Sequence, residues 1–190
     1  GLTFDVGLRA LMRQDPDIIM VGETRDGETA ATSVRAAITG HVVLSTLHTN
    51  DAVSSIVRLE DMGVETYLVA NSLVGLVAQR LVRKVCPHCA RVMETTEQER
   101  IFLGEDVKTV VRGMGCAQCN NTGYKGRIAV HEIVAIDNDM RRMIINHEPI
   151  EAIKKYAIEV QHMRTLKESG LILVKEGKTT PEELVKISYE

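Results

Sequence analysis

Gln14-Asp15-Pro16-Asp17-Ile18-Ile19-Met20-Val21-Gly22-Glu23-Thr24-Arg25-Asp26 is the stretch whose reading sets the fold of this chain. Asp15-Pro16-Asp17 breaks a helix, because proline has no amide hydrogen and disfavours helical geometry in the residue before it. Ile18-Ile19-Met20-Val21 is then a continuous apolar run rich in β-branched side chains, the pattern of a strand buried on both faces. Gly22-Glu23 ends it. Asp26 is placed to cap a helix running to about Thr39, with Gly40 at its stop. His41 to Leu47 reads as a second short apolar strand. Strand, helix and strand with about 15 residues of crossover make a parallel pair in a right-handed βαβ unit.

Working outward, Thr3 can cap a short helix through about Arg13, with Phe4, Leu8, Leu11 and Met12 at helical spacing. Arg9 and Arg13 share one face of it, either to reach an anion or simply to meet solvent. Downstream, Thr49 or Asn50 is expected to cap a helix that runs to Met62 and stops at Gly63. Glu65 to about Lys84 reads as a long apolar helix, with Arg80 and Arg83 near its C-terminus, where cations are favoured. Residues 1–85 are thus α/β. Residues 86–130 form a segment bounded by cysteines, with a short acidic helix (Glu97 to Phe102) and a strand-like stretch (Val107 to Val111). Ile128 to Val134 reads as a strand returning to packed structure. Residues 131–190 are mainly helical: Met140 to His147, Ile150 to Val160, Leu166 to Glu176 and Pro181 to Ile187. Thr180, Pro181 and Glu183 form a capping-box signature at the last of these.

The chain has 190 residues, enough for one ordinary domain or a core with a small satellite. Its 44% hydrophobic and 26% charged residues exclude a disordered chain. The net charge of -3 argues against a protein built to hold nucleic acid, and no direct nucleic-acid partner is expected. No apolar run approaches the roughly 18 to 20 residues of a membrane helix, so no transmembrane segment is expected. The N-terminus lacks a secretory signal pattern. It also lacks a starting Met, so a fragment of a longer protein is expected.

Cys86, Cys89, Cys116 and Cys119 form two C-x-x-C pairs. Two thiolates at that spacing on a tight turn can point at one ion, and two such turns complete a tetrahedron. The 26 intervening residues exceed the usual zinc-ribbon loop of about 15 to 20. Loop closure grows only logarithmically with length, so the excess costs a few tenths of a kcal/mol. Pro87, Gly115 and Gly123 suit knuckle turns. The alternatives are disulfides and free thiols. A site of four thiolates has no open position, so the ion would hold structure rather than do chemistry. His88 lies between two ligands and is read as a bystander.

In an open parallel sheet, ligands bind beyond the carboxyl ends of the strands. Glu23 lies there, where a nucleotide enzyme places an acid to hold Mg²⁺ or polarise a water; the plainer alternative is an exposed acid pairing with Arg25. Thr46, His48, Thr49 and Asn50 end the second strand. His48 is either a phosphate-facing group or a satisfied structural histidine. His41 opens that strand and lies at the opposite edge. The 190 residues contain no G-x-x-x-x-G-K-[ST], so no phosphate cradle or cofactor-binding residue is assigned.

The Gln14–Asp26 stretch resembles the Walker B segment of the secretion ATPase superfamily. Thr39-Gly40-His41-Val42-Val43-Leu44-Ser45-Thr46-Leu47-His48-Thr49-Asn50 resembles its histidine box. The tetracysteine pair, Gly123-Tyr124-Lys125-Gly126-Arg127, and Met163-Arg164-Thr165-Leu166 through Gly177-Lys178-Thr179-Thr180 resemble one branch, the type II secretion and type IV pilus assembly ATPases. Retraction motors of the superfamily generally lack the cysteine insert.

The resemblance implies a partial RecA-like P-loop NTPase core over 1–85, a tetracysteine zinc subdomain over 86–130 and a helical region over 131–190. It implies a homo-hexameric motor that uses ATP, Mg²⁺ and Zn²⁺. The motor would lie in the cytoplasm, peripheral to the inner membrane, and work against a platform protein there. By matching position, Glu23 is the Walker B glutamate, and His48 and less directly His41 belong to the histidine box. Cys86, Cys89, Cys116 and Cys119 are the metal ligands. The family's P-loop and acidic "Asp box" are expected upstream, so this chain alone is expected to be inactive and to self-associate through exposed apolar surface. A competing expectation is a zinc-stabilised scaffold or docking module without catalysis.

Overall fold

The computed structural model describes residue 1 and residues 3–188; Leu2, Tyr189 and Glu190, within the first and last expected segments, lie outside the described residues. In chain order the elements are α1 (Phe4–Leu11), β1 (Ile18–Val21), α2 (Gly27–Ile38), β2 (Val42–Ser45), α3 (Ser54–Asp61), α4 (Thr66–Ser72), β3 (Gly75–Val85) and β4 (Ala90–Glu94). There follow α5 (Glu97–Leu103), β5 (Thr109–Gly113), β6 (Tyr124–Ala135), α6 (Asn138–Ile145), α7 (Ile150–Glu159), α8 (Leu166–Lys175) and α9 (Pro181–Ser188). Contacts divide the chain into two units, Gly1–Val77 with Ile133–Met163, and Ala78–Glu132 with Arg164–Glu190.

The first unit is built on the expected βαβ element. β1 and β2 are parallel, with Ile18 opposite Val42 and Val21 opposite Ser45. Thr3 caps α1 by accepting the Val6 N–H, and Asp26 caps α2 by accepting that of Thr29 at 2.8 Å. Asp15 takes a left-handed backbone (φ 53°) and ends the turn that follows α1. Leu8, Ile19, Val21 and Ala36 form a core, with Met12 and Val43 against it. Burying each of the larger of these contributes roughly 1.5–3 kcal/mol. The expectation that the first strand is buried on both faces is corrected. Ile19 and Val21 are buried, but Ile18 and Met20 are 63% and 64% exposed, and Val42 and Leu44 of β2 are open too. Helices cover only the face that Ile19 and Val21 present, so the other apolar face meets solvent.

Two further expectations fail. α3 does not begin at Thr49 or Asn50; the Asp51 carboxylate receives the Ser54 N–H at 2.8 Å, and Thr49 donates its hydroxyl to the Asp51 carbonyl. The long helix from Glu65 to Lys84 does not form either. α4 stops at Ser72, and β3 takes the rest, paired with β6. The β-branched Val74, Val77, Val82 and Val85 favour the strand. Along β3, Leu76, Ala78 and Val82 are buried while Val77 and Leu81 point out, a period of two rather than 3.6. Arg80 and Arg83 therefore sit on a strand, not at a helix end. On α6, Asp137 caps Met140 at 2.8 Å and also takes the Tyr156 hydroxyl and the Gln161 amide, which ties α6 to α7.

In the second unit β4 and β5 pair antiparallel, Ala90 opposite Gly113 and Glu94 opposite Thr109. β4 was not expected from the sequence. Thr96 and Glu99 form a complete capping box on α5, as Thr165 and Glu168 do on α8. The box expected at Thr180 and Glu183 is replaced. Glu183 is buried, and its oxygens receive the Arg83 backbone N–H at 2.9 Å, the Arg83 guanidinium at 2.9 and 3.1 Å and Lys186 at 2.7 Å. Arg83 in turn lies 3.9 Å over the Tyr124 ring. A charge-assisted, bidentate partner outcompetes a reach back to the helix's own N-terminus.

Burial alone would raise the Glu183 pKa, but the hydrogen bonds from Arg83 and Lys186 outweigh it and hold it down at about 2. A depressed carboxyl contributes stability above its unfolded pKa, near 4.5, and loses it as pH falls toward 2. Glu183→Gln should therefore cost about 2–3 kcal/mol at neutral pH. Urea unfolding of both proteins should show that difference shrinking between about pH 5 and pH 2. A gap that stays constant across this range would sink the assignment. Among the described residues no helix is long and apolar enough to cross a membrane.

Candidate functional site

The carboxyl ends of β1 and β2 are laced together. The Thr24 N–H donates to the Thr46 carbonyl at 3.0 Å, the Thr46 hydroxyl donates to the Gly22 carbonyl at 2.7 Å, and the Thr24 and Ser45 hydroxyls are 2.8 Å apart. Parallel pairing thus sets two loops side by side, and each carries one candidate residue. Glu23 and His48, 25 positions apart, meet through Oε1 and Nε2. Arg25 Nε lies 2.6 Å from the other Glu23 oxygen. The hydrogen bond from Arg25 is the largest influence on Glu23 and lowers its pKa; burial opposes this and His48 adds to it. Glu23 is therefore ionised at neutral pH, fit to accept a hydrogen bond or coordinate a cation rather than to donate a proton. Its side chain is largely shielded, while that of His48 is open to solvent. The pairing with Arg25, the plainer of the two alternatives read for Glu23, is present, and Glu23 meets His48 as well.

His41 is not brought to this cluster. It precedes β2, and its Nδ1 lies 3.0 Å from the Ala36 carbonyl, at the opposite end of the strand pair. Asp51 and Lys154 are contributors that sequence reasoning missed. Lys154 on α7 reaches Asp51 at 2.7 Å, just after His48, and anchors the loop that also starts α3. An acid three residues before Ser54 is a readable cap signal, but nothing local points to Lys154, 103 positions away.

The four cysteines converge in the second unit. Their sulfurs all lie within 4.8 Å of one another. Cys86 to Cys116 is 4.0 Å, Cys89 to Cys119 is 3.9 Å and Cys116 to Cys119 is 3.7 Å. A tetrahedron with zinc–sulfur bonds of about 2.3 Å has edges of about 3.8 Å. The spacing fits such an ion and is far from a disulfide, about 2.05 Å; all four thiols are free. The backbone also fits. Cys116 and Gly123 each donate an N–H to Cys119 Sγ at 3.3 Å. Burial would raise the Cys119 pKa, but these two N–H groups, together with hydrogen bonds from the Cys116 and Cys89 thiols, outweigh it and bring it to about 6. Cys89 moves the other way, pushed up to about 11 chiefly by burial. Gly113 and Gly123 make the closure possible: a Cβ on either would run into the backbone of the other. His88 is exposed beside the cluster and is not among its converging side chains.

The sequence profile of the family described as "Type II/IV secretion system protein" matches residues 1–186. The chain is 45% identical over 192 residues to the type II secretion system protein E of Aeromonas hydrophila, covering all of this chain and 38% of that protein. It is 46% identical over 195 residues to the type IV pilus assembly ATPase PilB of Thermus thermophilus, covering all of this chain and 22% of that one. Among solved structures it resembles the pilus retraction motor PilT with bound ADP, with a TM-score of 0.69 and 26% identity over 99% of this chain and 44% of that one. The ATPase DotB of Legionella pneumophila, at 21% identity over 98% of this chain and 42% of its own, shares the fold with a TM-score of 0.69. The chain spans less than half the length of each of these proteins. With a profile match across nearly every residue and identities above 40% over its full length, the chain belongs to the type II/IV secretion system protein family.

Proposed function

We propose that this chain is part of a motor ATPase that works as a homo-hexamer and hydrolyses ATP to power type IV pilus assembly or type II protein secretion. The observation that carries the reading is the meeting of Glu23 and His48 at the carboxyl end of the β1–β2 pair. The names of the relatives, a type II secretion protein E and a type IV pilus assembly ATPase, support the choice of machine. In this reading residues 1–85 contribute to a RecA-like core, 86–130 form the metal-binding subdomain and 131–190 the helical region. Ionised Glu23 is the Walker B acid, on the Mg²⁺ and water side of the γ-phosphate. His48 belongs to the histidine box beside it, and His41 to the far end of the same box. Cys86, Cys89, Cys116 and Cys119 hold Zn²⁺, which supplies structure and no open coordination position. The ring would sit in the cytoplasm, peripheral to the inner membrane, and act on a platform protein there.

The competing reading, a zinc-stabilised docking module, draws on the same four cysteines and on the lack of G-x-x-x-x-G-K-[ST] in these 190 residues. ATP turnover separates the two. The 190-residue chain should show none, and a longer protein that joins it to a P-loop should turn over ATP with Mg²⁺. Failure of the longer, assembled protein to hydrolyse ATP would leave the docking module. Turnover by the 190-residue chain above a Glu23→Gln control would overturn the need for a P-loop segment.

A further inference from the structure

Charge is divided unequally between the two units. The unit of Gly1–Val77 and Ile133–Met163 holds 9 Lys and Arg against 15 Asp and Glu, whereas the unit with the cysteines holds 14 against 11. Much of the second unit's positive charge is matched on the spot. Arg83 and Lys186 pair with Glu183, Arg112 with Glu99 and Glu182, Lys175 with Asp106, and Lys178 with Glu176. Among the described residues, Lys84 and Lys125 have no such carboxylate partner. Those two exposed lysines, with Lys178, line a cleft of about 540 Å³ to which no acidic side chain contributes. Its remaining wall is Val85, Pro87, Ala90 and Gly177, with the His88 ring as the one further polar side chain.

We propose that this cleft is a docking site for an acidic, partly apolar polypeptide segment of a partner protein. The charge sign demands an anionic occupant, and the wall chemistry selects among anions. Lysine can bind phosphate as a point charge, but specific phosphate sites usually add convergent backbone N–H groups or an arginine fork, and no arginine lines this cleft. Lysines are flexible point charges whose stems cover apolar surface. A rim of ammonium groups over an apolar wall matches a segment that alternates carboxylate and aliphatic side chains. The inference stands apart from the ATPase reading, since none of its residues belongs to the strand-end cluster.

The test uses the 190-residue chain and a short fluorescent peptide that alternates Glu and Leu, with a Gln-for-Glu peptide as its neutral twin. Anisotropy titration should give binding of the Glu peptide that is at least about tenfold tighter than the twin and weakens as salt rises. The Lys84→Gln, Lys125→Gln double variant should lose about tenfold in affinity while keeping its melting temperature and bound zinc. The corresponding double Arg variant should retain binding, which keeps the test meaningful if the Gln pair disturbs folding. Equal affinity for both peptides would overturn the proposal. So would a double variant that binds peptide normally but loses zinc, because the lysines would then be counter-charges to the thiolates. Tighter binding of inorganic phosphate or of phosphatidylglycerol vesicles at these lysines would overturn it in favour of a phosphate group. Self-association that the double variant abolishes would overturn it in favour of a second copy of this chain.

Discussion

Cys86→Ser is expected to lower the stability of the cysteine-bearing unit by several kcal/mol and to reduce its zinc from about one per chain toward none. The size of the effect follows from linkage. Unfolded chain holds no preformed tetrathiolate site, so the free energy of binding zinc, on the order of 10 kcal/mol for small structural sites, is folding free energy. Cys86 is fully buried, and its neighbours are fixed by the same knuckles: its N–H donates to the Gly123 carbonyl at 2.9 Å, and the Met114 N–H donates to the Cys89 carbonyl at 3.0 Å. A serine there would remove one ligand and leave a hydroxyl that binds zinc poorly in a pocket built for sulfur. The check is thermal melting with elemental analysis after dialysis against a weak chelator, on wild type and variant. A strong chelator should reduce wild type to the variant's melting point. If Cys86→Ser melts with wild type, these cysteines are free thiols that happen to cluster.

Glu23→Gln, placed in a longer, ATP-hydrolysing protein that contains this segment, is expected to lower turnover by about 10²–10⁴-fold and to leave nucleotide affinity within a few-fold. Gln keeps the size and one oxygen of the side chain but not the charge. The charge is what the site protects, since Arg25 and His48 both bear on Glu23 and its pKa is lowered. In the proposed reading, water polarisation and Mg²⁺ contact would both depend on an ionised carboxylate, whereas the phosphate cradle would be supplied by another segment of the longer protein. Steady-state turnover and equilibrium binding of a labelled nucleotide separate the two steps. Loss of binding together with turnover would move Glu23 from the chemistry to the structure of the site.

The sequence by itself determined the elements whose signals are local. Thr3 and Asp26 cap their helices as the sequence reads, and Thr96 and Thr165, not singled out as caps from the sequence, do the same, because the capping hydrogen bond spans only three residues. The parallel pair follows from two apolar runs joined by a helix, and it puts Glu23 and His48 at one edge; their direct contact is a finding of the structure. The cysteine cluster was legible from two C-x-x-C turns, whose chemistry is written in their spacing.

Tertiary structure decided whatever depended on a partner distant in sequence. Residues 75–84 read as helix because Leu and Val at mixed spacing satisfy both periods, and only pairing with β6 selects the strand. That choice moves Arg83 beside Glu183, 100 positions away, and so takes Glu183 from its own helix cap. Lys154 meets Asp51 for the same kind of reason. Coverage of β1 was likewise undetermined, because an apolar run states what a face prefers and not whether another layer lies against it. A cap or a metal knuckle is closed by residues a few positions apart, at little entropic cost. A strand pair or an ion pair across about a hundred residues forms only when the rest of the unit has already brought its ends together.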